Sequence, residues 1–274
     1  MRGSEKFGQS GSGTVPNRSE SVYFLGGRDL EMVEIARVLA EHSIPFFDHA
    51  LDWSYATFAA YEEEIRSSIS NGHRPVLIEL RDIPAEVLPF IEVIDHHGPE
   101  SGHLPTSLEM VLARLGVTAL TREQQLIAAN DKGYIDGMAA IGATNEEILR
   151  IREQDRCAQG ITQEQELAAT TAIAALSSTV ASLTVVQLPH GKTATVTDRL
   201  SHSAGGPGYD NLMIECPKEI SFFGNGLLIR ELMRHFGGYC GGQLPKQGYW
   251  GIEILSDEMH GKVRDFVTHY TSGQ

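Results

Sequence analysis

The chain has 274 residues, of which 41% are hydrophobic and 21% charged. That is enough apolar material for one large domain or two moderate ones, each with its own core. A formal net charge of −14 disfavours long nucleic acids and anionic membrane surfaces as partners. An anionic substrate would have to be met locally, by a metal ion or by clustered Arg and Lys. Cys157, Cys216 and Cys240 are scattered without a CxxC pair, which points to reduced thiols and a cytoplasmic setting. The most weakly polar stretch, "TAIAALSSTVASLTVV", falls short of the roughly 20 apolar residues of a membrane span, so no membrane partner is expected.

The opening "MRGSEKFGQSGSGTVPNRSES" lacks the apolar centre of a signal peptide, and its Gly and Ser content predicts a mobile segment over 1–20. Structure is expected to begin with the strand "SVYFLGG". The helix "RDLEMVEIARVLAEHS" follows, with Met32, Ile35, Ala36 and Leu39 on one face. "IPFFDHALDW" reads as a second strand and "ATFAAYEEEIRSSISNG" as a second helix. "RPVLIELRD" and "IEVIDHH" read as the third and fourth strands. Strands alternating with helices at this pitch predict βαβ units and a mostly parallel, doubly wound sheet.

Helices dominate the next stretch. Thr106 with Glu109, Thr121 with Gln124 and Thr144 with Glu147 have capping-box spacing, and a further capped helix is expected at Thr162. A boundary is placed near Gln159–Gly160. Beyond it "SLTVVQLP", "ATVTDRL", "NLMIECP" and "GYWGIEIL" read as strands, with "LLIRELMRHFGG" as a helix between them. The expected architecture is thus α/β, with a metal-binding domain over 21–159 and a smaller α+β domain over 160–274.

Ligands of an open parallel sheet gather beyond the carboxyl ends of its strands. Those ends carry Asp29 after the first strand, Asp48, His49 and Asp52 after the second, Glu79 and Asp82 after the third, and Asp95, His96 and His97 after the fourth. Converging carboxylates repel unless a cation or protons hold them. Oxygen donors mixed with imidazole suit Mn, Mg, Fe or Zn better than a thiolate-seeking metal.

A strand ending in Asp95-His96-His97, followed by the capped helix "TSLEMVLARLG" and by "LIAANDKGYIDGM", resembles the DHH phosphoesterase family over roughly residues 20–140. The resemblance implies a divalent cation, manganese foremost, held by Asp29, Glu79, His96 and Asp131. Asp82 is the alternative to Glu79. It implies that His97 faces the substrate phosphate, and Asp95 is read as orienting an imidazole. The family holds two cations through a first motif with a His and two Asp. Here two of those positions fall on Tyr23 and Gly27, so a second ion is lost or its site is rebuilt from Asp48, His49 or Asp52. The segment "HFGGYCGGQLPKQGYWG" is similar to the family's substrate-closing segment, with Gly238, Gly241, Gly242, Arg234 and Lys246 as the expected substrate contacts.

These readings converge on a metal-dependent hydrolase, a phosphoesterase acting on a small anionic ester such as a nucleotide. Two alternatives stay open: a regulatory protein of this fold that binds nucleotide or metal without turnover, and a metal hydrolase whose substrate is not a phosphate. A homodimer is an admitted assembly.

Overall fold

The computed structural model describes residues 21–97, 104–175, 179–180 and 182–273, so the expectation for residues 1–20 lies outside the described residues. The chain divides between Leu120 and Thr121 into two compact units. The sequence places its boundary at Gln159–Gly160, where Gly160 takes φ 73° just beyond a helix end.

The first unit is an α/β layer with four parallel strands. β1 (Ser21–Phe24), β2 (Phe46–Phe47), β3 (Arg74–Ile78) and β4 (Glu92–Ile94) lie in the order β2-β1-β3-β4. All three pairings are parallel, with Tyr23 opposite Phe46 and Val76, and Ile78 opposite Ile94. β1 and β3 are therefore interior strands, and they read as the near-continuous apolar runs that sheets covered on both faces require.

One face packs Phe58, Tyr61 and Ile65 against Val22, Phe24 and Leu77. Ile65 comes from α2 (Glu62–Ser70), which follows a 3-10 turn at Phe58–Tyr61. Helices α1 (Leu30–Glu41) and α3 (Ser107–Arg114) pack on each other. Arg114 fixes α3 to the sheet. Its Nε donates to Tyr23 Oη at 2.9 Å, Nη2 to Ser21 Oγ at 3.1 Å, and Nη1 to the Glu92 carboxylate at 2.6 and 2.7 Å. Tyr23 is thereby accounted for by packing and by this anchor.

The second unit begins with α4 (Arg122–Ala140), α5 (Asn145–Ala158) and α6 (Gln163–Ala174). All three helices, like α3, start with a complete capping box, as the Thr-x-x-Glu/Gln spacing predicts. α4 is broken at Gly133 and Tyr134, where Tyr134 takes φ 49°.

The sheet of this unit is mixed, in the order β5-β6-β7-β8-β10-β9, with only β6–β7 parallel. Its strands are β5 (Thr179–Val180), β6 (Leu183–Gln187), β7 (Asn211–Glu215), β8 (Glu219–Asn225), β9 (Tyr239–Gln243) and β10 (Gln247–Glu253). Along β7, Leu212 and Ile214 point into a core with Ala169, Val196 and Leu200, while Met213 joins a second core around Phe222 and Trp250. The two-residue period thus serves two apolar faces at once. Helices α8 (Gly226–Phe236) and α9 (Asp257–Ser272) cover the second core through Leu228, Leu232, Val263 and Val267.

One expected strand is a helix. "ATVTDRL" forms α7 (Ala194–Leu200). Its β-branched run suits a strand by propensity, but Val196 and Leu200 lie four residues apart and enter one core together. Thr195 Oγ1 is bound locally, donating to Lys192 O at 2.6 Å. Tertiary burial overrides a propensity of a few tenths of a kcal/mol here.

Candidate metal centre

The carboxyl end of β3 supplies the central group. Glu79 follows the last strand residue and holds φ 53°, the left-handed region that a non-glycine residue enters at a cost of about 1 kcal/mol or more. Its amide N–H donates to Ile94 O at 2.9 Å, which ties it to the end of β4. The side chain is only 2% exposed. Oε1 accepts from Ser107 Oγ at 2.6 Å, and Oε2 is buried with no hydrogen-bond partner among the described residues.

β4 delivers the imidazoles. His96 is 4% exposed, with Nε2 at 3.3 Å from Glu79 Oε1 and 3.8 Å from Glu31 Oε2. His97 is half exposed, and its ring lies 4.4 Å from that of His96 between centroids. His97 Nδ1 is 3.8 Å from Glu79 Oε1 and 3.1 Å from Asp95 Oδ1. Asp95 Oδ1 also accepts the His97 amide N–H at 2.8 Å, so one oxygen holds both backbone and ring of that residue. Glu79, His96 and His97 can each offer one donor atom within 4.8 Å of the others.

Glu31 is a participant that sequence reasoning does not single out. It sits in the first turn of α1, is 2% exposed, and its Oε1 accepts the Leu108 amide N–H at 2.9 Å. Glu31 and Glu79 therefore both lean on the first turn of α3, through Leu108 and Ser107. A helix N-terminus, with its unsatisfied N–H groups and positive dipole end, is where buried carboxylates cost least. The sequence signal is an acidic residue in a helix turn expected beside the strand ends, which is too common a feature to select it.

The donor set fits a divalent cation. Two buried carboxylates face one buried imidazole nitrogen, and among the described residues one Glu79 oxygen has no donor. Such an arrangement carries excess negative charge that a metal ion neutralises. Carboxylate oxygen and imidazole nitrogen are donors of the type used by Mn, Mg, Fe and Zn sites.

The remaining expected residues lie as follows. Asp29 caps α1, where Oδ1 accepts the Met32 amide N–H at 2.9 Å. Asp131 belongs to the second unit, on α4, two residues before its break. Asp82 is exposed with φ 55°. Asp48 accepts the Ala50 amide N–H at 2.7 Å, and His49 stacks on Tyr61 with Nε2 at 3.7 Å from Glu64. Asp48, His49 and Asp52 are all exposed.

In the glycine-rich segment, Arg234 pairs with Glu231 at 2.7 Å and Lys246 is exposed. A Cβ on Gly238 would lie 2.3 Å from Gly251 O, and one on Gly242 2.6 Å from Gly248 Cα. Close pairing of β9 with β10 accounts for both glycines.

Gly27 also carries a packing load. A Cβ there would lie 2.4 Å from Trp53 Cδ2. Gly27→Ala should displace the indole and destabilise the protein by about 1–3 kcal/mol, read as a lowered urea midpoint at unchanged slope.

No family model matches the chain, and no curated protein is detectably similar to it. Solved structures that it resembles include the pGpG-specific phosphodiesterase PggH from Vibrio cholerae, at 14% identity and TM-score 0.48, covering 92% of this chain and 99% of that one. The exonuclease RecJ bound to manganese matches at 13% identity and TM-score 0.47, covering 93% and 90%. RecJ from Thermus thermophilus in complex with Mg2+ matches at 12% identity and TM-score 0.49, covering 93% of this chain and 50% of that one. At these values the likenesses bear on neither substrate nor activity, and the chemistry rests on the residues themselves.

Proposed function

We propose that this protein is a metal-dependent hydrolase, a phosphoesterase acting on small anionic esters such as nucleotides. The observation that carries this reading is the buried Glu79–His96–Glu31 cluster at a parallel sheet's carboxyl edge, with Glu79 Oε2 buried and without a hydrogen-bond donor among the described residues. Glu79 and His96 would hold the cation, and Glu31 would add charge beside them. When bound, a divalent ion supplies Lewis acidity to a phosphoryl oxygen and a bound water of lowered pKa.

The chain's own residues divide the remaining tasks. Burial of Glu79, Glu31 and His96 keeps bulk water from competing for the donor atoms. Ser107 and the Leu108 amide fix the two carboxylates before any ligand arrives, so little reorganisation is left to do. His97, half exposed and held by Asp95, would donate a hydrogen bond to an anionic ester oxygen. Manganese is the first ion to try, with Mg, Fe and Zn as alternatives.

The test is release of phosphate or nucleoside from a panel of nucleotides and simple phosphate monoesters and diesters by metal-loaded protein. Turnover should depend on the added ion and fall by roughly 100-fold or more in His96→Ala, as loss of a group that fixes charge at the reacting centre does. Circular dichroism should show the variant folded. Absence of turnover with all four metals would favour a binding protein without catalysis, a reading that the non-ligand residues Tyr23 and Gly27 at the end of β1 also permit.

A further inference from the structure

The glycine pair that ends β1 lies between two surfaces. A Cβ on Gly26 would be 2.6 Å from Ile78 O and 2.8 Å from Glu79 O, so this glycine lets the chain pass against the backbone of the cluster's central carboxylate. A Cβ on Gly27 would run into the Trp53 indole, 2.4 Å from Cδ2 and 2.8 Å from Cε2. The indole fills the place that any side chain at position 27 would take.

Trp53 is held there from several directions. Gly27 and Leu51 form a parallel bridge, with the Arg28 amide N–H donating to Leu51 O at 2.8 Å. Arg81 Nη2 donates to Trp53 O at 2.7 Å and Ser54 O at 3.1 Å, and so pins the 3-10 turn Trp53–Tyr55. The ring meets His97 edge-on, with 5.4 Å between centroids at 71°. His97 in turn borders Glu79.

A two-ion hydrolytic site needs its ions about 3.5–4 Å apart, each with a donor set of its own. Among the described residues, positions 26 and 27 beside Glu79 and His97 are glycines and the carbon ring of Trp53 covers Gly27, none of which supplies a side-chain lone pair, while Asp29 two residues on caps α1. A carboxylate at position 27 is sterically incompatible with Trp53 in this position.

We propose that Trp53 walls this cluster into a one-cation centre, taking up with its indole the volume in which a second divalent ion would bind. The inference rests on the cation reading above. It also makes Trp53 a built-in reporter, because one edge of its ring lies against His97 while the chain's other tryptophan, Trp250, is buried in the core of the second unit.

Two measurements on the full chain test it. Free Mn2+ followed by electron paramagnetic resonance should give one bound ion per chain at saturation. Titration with Co2+, which quenches nearby indoles, should lower the tryptophan emission of the wild type. It should leave that of Trp53→Phe nearly constant although the variant still binds one ion, and Glu79→Gln should lose both ion and quench. Two Mn2+ per wild-type chain would overturn the proposal, as would one bound ion that quenches wild type and Trp53→Phe alike. Should Trp53→Phe fail to fold, the wild-type ion count still decides, and Trp53→Tyr serves for the emission. No bound ion in the wild type would instead remove the cation reading, a separate outcome.

Discussion

Glu79→Gln should weaken divalent-cation binding by at least about 100-fold and, at the same time, raise the melting temperature of the metal-free protein. The first effect follows from charge. Losing one full negative charge from the ligands of a divalent ion costs about 3 kcal/mol or more at the effective dielectric of a protein site. The second follows from what the ion leaves behind. Without it, Glu79 and Glu31 are two nearly fully buried carboxylates facing one imidazole nitrogen, and Glu79 Oε2 has no donor among the described residues. Glutamine keeps the acceptor that Ser107 uses and removes the charge. A gain of about 1–2 kcal/mol is the scale expected when a group kept for function is replaced by a neutral isostere. Thermal melts with chelator and with excess Mn2+ check both effects. The wild type should be stabilised by metal and the variant should not, while the variant melts higher in chelator. A variant that melts lower than wild type in chelator would show that the carboxylate is structural.

The largest loss of stability outside the centre should come from Asp198→Ala. Asp198 Oδ2 accepts from Arg152 Nε at 3.1 Å and from Arg156 Nη1 at 2.6 Å. Arg152, 2% exposed, also donates to Asn130 Oδ1 at 2.8 Å and Asp155 Oδ2 at 2.7 Å, and its guanidinium lies over the Tyr134 ring. Arg156 reaches Glu166 at 2.7 Å, which joins α5, α6 and α7 in one buried network. Burial tends to lower the Arg156 pKa, and its hydrogen bonds and charge contacts to Glu166 and Asp198 outweigh that and raise it. Removing Asp198 takes one of two carboxylate partners from each guanidinium, Arg152 keeping Asp155 and Arg156 keeping Glu166, at a cost of about 3 kcal/mol. Urea unfolding followed by circular dichroism measures it. Asp198→Asn, which keeps an acceptor oxygen for the guanidinium groups and removes only the charge, should lose less than Asp198→Ala.

Local codes in the sequence carry over well into three dimensions. The Thr-x-x-Glu/Gln spacings all become capping boxes, because that code needs only four consecutive residues. The four parallel strands of the first unit are readable from their apolar runs, and the Asp95-His96-His97 tripeptide does follow a strand end, beyond β4. What stays hidden depends on distant partners. Glu31 meets the Leu108 amide across 77 positions of chain, and no local pattern marks that pairing. Trp53 over Gly27 is likewise invisible until the loop after β2 folds back. α7 reads as a strand because its Thr and Val content speaks for one, while the partner core that decides the matter lies elsewhere. β8 and α9 escape sequence reasoning for a different reason. "EISFFGN" runs straight into the helix that Asn225 caps, and the apolar positions of α9 are diluted by charged and hydroxyl residues, so its buried Val263 and Val267 do not stand out.

The outermost strands have a consequence for behaviour at high concentration. Among the described residues, β2 is two residues long and β4 three, while β9 carries "YCGGQ", whose adjacent glycines pack poorly against an incoming neighbour. These three margins therefore offer too few free backbone groups, or too little side-chain surface, to template a visiting chain. Concentrated samples should resist fibril growth seeded from the native fold, and any aggregation should proceed through unfolding first.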